Sequence, residues 1–544
     1  MVLACFAGCA QAAGYPVLLP SLDLAPAPPR SAVSVPQIAP SRPSVFGATR
    51  SESDFVLSAV SVEGSTVFDK SSFETTYAEF LGRRVGIDAV REIVRRITEK
   101  YRSAGLFLSH AIALPQSLAG GVLHVRVIEG YIGKVTVTGA ASPEEKGLRA
   151  YTANLLDERP LRLETLERAV VLAGDLPGIT IVPSIVPIDE ATGRYELVLT
   201  TEPRLVSGYF AFDNRAPRYL GSWEAKMRGA AASVLVPFDQ LSATFSTAPD
   251  IPREFIAGAV TYDAPIGTDG LRGSLSFARS SIHPGNYLAS LDLSGMTTSY
   301  LARLSYPLLR SRASSLWLGG SFSGIDERED LPGFLLFHDH LRVFRADAAY
   351  YGTKDWGGID QAFVQISQGV EGLGASDLAS SNLSTPNGHA AFTKIYGSFT
   401  RLQPLVEDFS LYLDIAGQKA GQPLLLSEQF SLGGAHFGRG YDPGEVLGDD
   451  ALAGAVELRY GHDLKGGFLR SFQLYVFYDL GAVWNISVNN PQRQASLASA
   501  GGGGRFTLAQ GFFISIEVAK PLTRPLVPNA DKPVRVFARL TKTF

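Results

Sequence analysis

The chain has 544 residues, more than one ordinary globular domain, and a formal net charge of −4, so no basic excess points to nucleic acid. Only 19% of residues are charged and 55 are glycine, a mix that suits tightly turned or lipid-facing backbone. No stretch reaches the roughly 18 uncharged apolar residues of a spanning helix, so a membrane protein of this sequence must be a closed β-barrel, with a large soluble enzyme as the alternative.

Residues 1–13 are small and mostly apolar, and Ala10-Gln11-Ala12 resembles a small-residue cleavage site, so they are read as a signal peptide. No Lys or Arg precedes Arg30, which makes the signal truncated or places the natural start further upstream. Phe6-Ala7-Gly8-Cys9 also loosely resembles a lipoprotein site. The two cysteines, Cys5 and Cys9, both lie here, and cleavage after Ala12 leaves a chain without disulfides, thiolate metal sites or cysteine catalysis. Residues 14–54 form a Pro-rich linker. Eight prolines between Pro16 and Pro43 favour extended backbone and prevent a helix of useful length.

Residues 55–130 and 131–203 repeat one plan of strand, helix, helix, strand, strand. In the first copy, Val56 to Val62 is strand-like and ends at Gly64, and Ser71 with Glu74 reads as a capping box. Asp88 then caps a helix with Val90, Ile93, Val94, Ile97 and Tyr101 on one face, stopped by Gly105. Strands are expected at Leu106–Leu114 and Val122–Glu129. The second copy starts at Ile132 and turns at Gly139, with a helix start at Ser142, Pro143 and Glu145. Leu163, Leu166, Val170 and Ala173 mark its second helix, and Ile179–Pro187 and Tyr195–Thr201 its last strands.

From residue 204 to Phe544 the helical period gives way to a period of two. Leu275 and Phe277 alternate with Ser274, Ser276 and Ala278, and Leu411, Leu413 and Ile415 with Ser410, Tyr412 and Asp414. Leu474, Val476 and Tyr478 alternate with Gln473, Tyr475, Phe477 and Asp479. Apolar-out and polar-in alternation sustained over so long a unit indicates a transmembrane barrel with a wet lumen. At roughly 9–11 residues per spanning strand, and about 20 with connections, the segment holds about 16 antiparallel strands.

Within it, Gly433 to Asp442 reads Gly-Gly-Ala-His-Phe-Gly-Arg-Gly-Tyr-Asp, and Phe477-Tyr-Asp-Leu-Gly481 follows on a later alternating stretch. Arg439 sits between glycines on a loop, and Asp479 falls on the polar parity of its strand. An arginine loop and an inward carboxylate suit a loop folded into a polar cavity, where a guanidinium can grip a carboxylate. Glu457 and Arg459, inward on the intervening strand, are candidates for the same network.

These two motifs resemble those of the outer-membrane transporters of two-partner secretion, the TpsB or ShlB/FhaC/HecB-like haemolysin secretion/activation proteins. Arg91 to Gln116 and the run Gly121 to Ile132 resemble the first periplasmic POTRA module of that family, and the alternating end Val534–Phe544 resembles its final strand. The resemblance implies a 16-stranded membrane β-barrel preceded by two α+β POTRA modules, at 55–130 and 131–203. It places the chain in the outer membrane of a Gram-negative bacterium, with the modules in the periplasm. Arg439 is then on the sixth extracellular loop, tucked into the lumen against Asp479, with Gly440, Tyr441, Asp442, Phe477 and Gly481 as supporting motif residues. The implied function is export of a large β-rich partner polypeptide of haemolysin or adhesin type. A barrel-assembly factor of the same superfamily and a passive porin are the alternatives. Partners are then the secreted polypeptide and outer-membrane lipid, with no nucleic acid, nucleotide or cofactor.

Other motifs carry less. His338-Asp339-His340 has the spacing of a metal pair on a strand, but is expected in or beside a loop that follows the acidic, solvated run Asp326–Asp330. Gly501–Gly504 lacks the Lys-Ser/Thr and helix of a phosphate cradle and reads as a turn or small-residue strand. No His-Glu-x-x-His or Gly-x-Ser-x-Gly appears, and no catalytic constellation is expected.

Overall fold

The computed structural model describes residues 37–38 and 54–544, apart from 119, 354–356, 378–379, 381, 386, 488–492 and 527–530. The expected signal peptide and nearly all of the expected linker lie outside the described residues. The chain divides into two compact units. One holds the N-terminal modules and the other the barrel.

The first module pairs β3 (Ala59–Glu63) in parallel with β6 (Val122–Ile128), and β6 antiparallel with β5 (His110–Ile112). The second pairs β7 (Tyr131–Thr138) in parallel with β9 (Arg194–Pro203), and β9 antiparallel with β8 (Ile179–Asp189). The connectivity is the same in both, and so is the exit from the first strand. Gly64 and Gly139 have φ of 85° and 88°, and a Cβ on either would lie 2.4 or 2.3 Å from a carbonyl oxygen of the neighbouring strand, Val127 or Thr201. Glycine is needed there on both counts. A two-residue strand, β1 (Gln37–Ile38), runs parallel to the free edge of β8 at Ser184 and Ile185.

Helices cover one face of each sheet. Val90, Ile93, Ile97 and Tyr101 recur on one side of α2 (Ile87–Ser103) and are buried against Val62, Leu123, Val125 and Val127. Tyr101 keeps its hydroxyl satisfied between Ser65 Oγ at 2.7 Å and Glu129 Oε1 at 3.0 Å. In the second module α3 (Ser142–Tyr151) and α4 (Leu163–Gly174) bury Leu148, Leu166, Val170 and Ala173.

Several local expectations change. The first strand breaks into β2 (Phe55–Val56) and β3, because Leu57 N donates to Arg83 O while Ser58 N turns to Gly121 O. Ser71 makes no capping bond, and a 3-10 turn over Lys70–Phe73 precedes the short α1 (Glu74–Tyr77). Gly86, not Asp88, is the cap of α2, and Asp88 lies in its first turn with Arg91 Nη1 at 3.0 Å. The strand expected at Leu106–Leu114 shrinks to β5, because Leu106 N is bound to Tyr101 O as the helix end turns back.

The barrel is closed by sixteen antiparallel strands, β10–β20 and β23–β27. In chain order they are β10 (Val206–Asp213), β11 (Glu224–Ala232), β12 (Gln240–Thr247), β13 (Phe255–Pro265), β14 (Arg272–Ile282), β15 (Ser294–Arg310), β16 (Ser314–Leu331) and β17 (Phe334–Thr353). Next come β18 (Ile359–Gly369), β19 (Thr393–Pro404), β20 (Phe409–Ala420), β23 (Asp450–Asp463), β24 (Leu469–Trp484), β25 (Gln494–Leu508), β26 (Phe512–Pro521) and β27 (Arg535–Thr543). Between β20 and β23 a small hairpin, β21 (Phe430–Leu432) with β22 (Val446–Gly448), folds inward from the connecting loop.

Alternation sorts the faces. Leu275, Phe277 and Val476 are 62%, 53% and 60% exposed on the outside, whereas Asp479 and Ser499 are fully buried inside. The outward Lys542 places its ammonium 4.9 Å from the Phe512 ring centroid and donates to Gln510 O at the strand end. The acidic run 326–330 and His338–His340 are not loop residues. They belong to β16 and β17, whose hairpin runs 18 and 20 residues, longer than the roughly 9–11 that cross a bilayer. Glu327 and Glu329 are accordingly buried on its inner face, not solvated. Gly501–Gly504 lies within β25.

Candidate functional site

The loop from residue 421 to 449 enters the barrel because it has an apolar side that the wall can bury. Phe430, Leu432, Phe437, Tyr441 and Val446 pack on Ala451, Ala453, Val483 and Leu497. Gly481 makes this approach possible, since a Cβ there would lie 2.7 Å from Leu432 Cδ2. Gly440 crosses β26 closely, with a built Cβ 2.6 Å from Pro521 N, and its own N–H donates to Ser499 Oγ at 3.0 Å.

This seating delivers Arg439, 3% exposed, to Asp479. Arg439 Nε donates to Asp479 Oδ2 at 2.9 Å, while the backbone N–H groups of Gly438 and Arg439 reach Asp479 at 2.9 and 3.3 Å. Nη1 donates to Glu457 Oε1 at 2.5 Å and lies 3.6 Å from Glu517 Oε2. The guanidinium carbon lies over Phe477, 3.6 Å from the ring centroid. Nε and Nη1 of Arg439 therefore each meet a carboxylate, in a buried setting where such pairs are strong and unforgiving of a missing partner.

Glu457 is the hub of a wider network. Besides Arg439 it accepts from Arg459 Nε at 2.7 Å and from Arg505 Nη1 and Nη2 at 3.2 Å. Arg459 and Arg505 each stack on a tyrosine, Tyr412 and Tyr475, with 3.9 Å to the centroid. Tyr475 donates to Glu517 Oε2 at 2.7 Å, and Arg215 donates to Glu517 Oε1 at 2.5 Å. The rings of Phe477 and Tyr475 have room because Gly501 and Gly503 face them. A Cβ at either glycine would come within 2.8 Å of Phe477 Cε1 or 2.7 Å of Tyr475 Oη. Arg215, Tyr412, Asp414, Arg439, Glu457 and Arg505 line a polar cavity of about 220 Å³ beside the loop.

Three further ties hold the loop. Asp442 accepts from Arg218 Nε at 3.0 Å and from Arg535 Nη2 at 2.6 Å. At the loop's entry, Glu428 is buried between Lys394, whose Nζ lies 2.8 Å from Oε2, and Arg345. Tyr441 Oη lies 3.0 Å from Thr523 Oγ1 and accepts the N–H groups of Thr523 and Arg524 at 3.2 and 3.1 Å.

The residues named for the loop and its seat thus converge: Arg439, Asp479, Glu457 and Arg459 in the charge network, Gly440, Tyr441, Asp442, Phe477 and Gly481 around it. Arg505, Glu517, Arg215, Ser499 and Glu428 were not anticipated. Arg505 and Glu517 do carry a signal, being charges on the inward parity of apolar-faced strands. His340 Nδ1 lies 2.7 Å from Asp326 Oδ1, and among the described residues no group of three His, Cys, Asp or Glu is arranged to hold a metal.

A family description, "Haemolysin secretion/activation protein ShlB/FhaC/HecB", matches residues 196–506, and a ShlB-type POTRA description matches residues 55–130. The outer membrane transporter CdiB of Dickeya dadantii is 24% identical over 399 residues, covering 71% of this chain and 69% of the relative. The heme/hemopexin transporter protein HuxB of Haemophilus influenzae is 21% identical over 485 residues, 86% of this chain and 82% of the relative. In fold, CdiB from Escherichia coli superposes with a TM-score of 0.73 at 19% identity, over 96% of this chain and 95% of that one.

Proposed function

The chain belongs to the ShlB/FhaC/HecB haemolysin secretion/activation family, the outer-membrane transporters of two-partner secretion, and from that premise we propose that it exports one large β-rich polypeptide of haemolysin or adhesin type. Residues 131–203 are read as a second POTRA module beside the first. The two modules bind the partner's extended N-terminal segment in the periplasm by adding a strand to an exposed sheet edge. The segment then enters the lumen as the loop carrying Arg439 leaves its seat, and folding of the partner outside draws the rest through. The chain acts as a conduit and performs no catalytic step.

The observation that carries this reading is the seat of Arg439. A loop that only narrowed a solute pore would not need its arginine buried between Asp479, Glu457 and Glu517. Such a contact holds a closed state firmly yet can be exchanged as a unit. A passive porin also leaves the periplasmic modules without a role. The test compares the secreted proteins and the outer-membrane proteins of the native host with and without this chain by mass spectrometry. Loss of a single large β-rich protein from the medium, with the outer-membrane profile unchanged, is expected. Depletion of many outer-membrane barrels would favour the assembly-factor reading, and no change in either fraction would refute both.

A further inference from the structure

The turn between β11 and β12 presents three aliphatic side chains in a row. Val234, Leu235 and Val236 are 45%, 75% and 47% exposed. Strand connections at a membrane's aqueous face are ordinarily polar. This one is also rigid. Asp239, fully buried, accepts the backbone N–H groups of Val234, Leu235 and Val236 at 2.6, 2.8 and 2.9 Å and the Tyr262 hydroxyl at 2.8 Å. Ser233 N donates to Asp239 O at 2.9 Å, and Phe238 N donates to Ser233 Oγ at 3.1 Å. The turn's one carboxylate therefore faces inward, and its tip carries no charge.

Other connections on the same rim are different in kind. Leu405 and Val406 are exposed beside Glu407 and Asp408, and Leu464 and Phe468 flank Lys465. The chain passes from the periplasmic modules into β10, so the turn after β11 lies on the periplasmic rim. The wall is low at this point, because β11 has 9 residues and β12 has 8. At about 3.3 Å per residue and a tilt of about 45°, eight residues rise roughly 19 Å, short of the roughly 25 Å apolar band of such barrels. The outward residues Met227, Leu241 and Phe245 are 55%, 40% and 44% exposed, and the apolar tip continues their surface.

We propose that Val234–Val236 is a preformed lipid anchor, seated at the headgroup–acyl boundary of the periplasmic leaflet, which completes the apolar height of a short stretch of wall. The aliphatic tip matches acyl chains, and the Asp239 cage fixes its shape before insertion, so little ordering is needed on entry. The experiment places a nitroxide at Leu235→Cys, and for reference at Glu407→Cys, in the full chain with Cys5 and Cys9 replaced by Ser. The protein is reconstituted in phosphatidylethanolamine/phosphatidylglycerol vesicles, and collision with oxygen is compared with collision with a water-soluble nickel chelate. A several-fold higher oxygen-to-nickel ratio at position 235 than at 407 is expected. Equal ratios would place the tip in water and overturn the assignment. Exclusion of both reagents at 235 would mean that protein covers the tip and would overturn it equally. Val236→Cys serves as a second labelling site should the first variant not insert.

Discussion

Asp442, three residues beyond Arg439, accepts a hydrogen bond from Arg535 at the start of the last barrel strand, 2.6 Å from Nη2 to Oδ1. Its other oxygen takes Arg218, from the connection that follows the first barrel strand. One carboxylate of the inserted loop is thus bound to both sides of the line where the barrel closes. That line, β10 with β27, has five paired positions, against eight between β10 and β11. Asp442→Ala is expected to destabilise the closed barrel by about 3 kcal/mol, as loss of one partner from a buried ion pair does. Amide exchange in β10 and β27 should rise above that in β24. Uniform exchange in the variant would show that Asp442 has no part in the closure.

Glu457 pairs with Arg439, Arg459 and Arg505 together. Glu457→Gln, which keeps size and removes charge, should therefore release the loop at a cost of about 3–5 kcal/mol. Planar-bilayer recordings should show longer open times and larger conductance. Arg439→Lys should resemble Arg439→Ala, because an ammonium cannot both fork between Asp479 and Glu457 and sit over Phe477 as the guanidinium does. Wild-type gating in the lysine variant would count against the stacked, forked geometry.

The glycines of β25 make a second prediction about the same seat. A side chain at Gly501 would meet Val518 O at 2.0 Å and the Phe477 ring at 2.8 Å, so Gly501→Val should displace the ring on which Arg439 rests. Overpacking of this kind costs about 1–3 kcal/mol. At Gly504 the first contact is the movable Phe506 ring at 2.9 Å. Gly504→Ala should leave gating unchanged, and a larger effect at 504 than at 501 would remove the ring-platform argument.

The loop should also loosen as pH rises. Burial and the neighbouring Asp442 carboxylate push Glu445 up to about 7, from an ordinary 4.5. Between those values the folded loop holds a proton that the unfolded chain has released. The contribution is fully present at low pH and is lost as pH climbs through about 7. Amide exchange at Gly438–Asp442, taken relative to its intrinsic base-catalysed rate, should accelerate over that window in the wild type and much less in Glu445→Gln. An unchanged pH slope in Glu445→Gln would assign the effect to another group.

Much of the site was legible because its alphabet is local. A period of two assigns Asp479, Glu457 and Arg459 to the lumen face without any knowledge of neighbours, since successive strand side chains point to opposite sides. The repeated plan of the two modules was legible for the same reason, down to Gly64 and Gly139 at matching strand ends. The acidic run 326–330 was misread because charge density there mimics a loop, whereas a long strand alternates it: Glu327 and Glu329 face in, and Arg328 pairs outward with Asp330.

By itself, then, the amino-acid order determined the barrel and the faces of most of its strands, because these follow from local periodicity and backbone chemistry, while the weight given to Arg439 came from the resemblance of its motif. Tertiary structure alone decided the partners. Glu457 meets Arg505 across 48 residues, and Asp442 meets Arg218 across 224. Pairings of that kind exist only once the sheet has closed on itself and the loop has found room against Gly481, Gly501 and Gly503. Closure sets which strands are neighbours, and no local pattern encodes which distant charge will stand opposite.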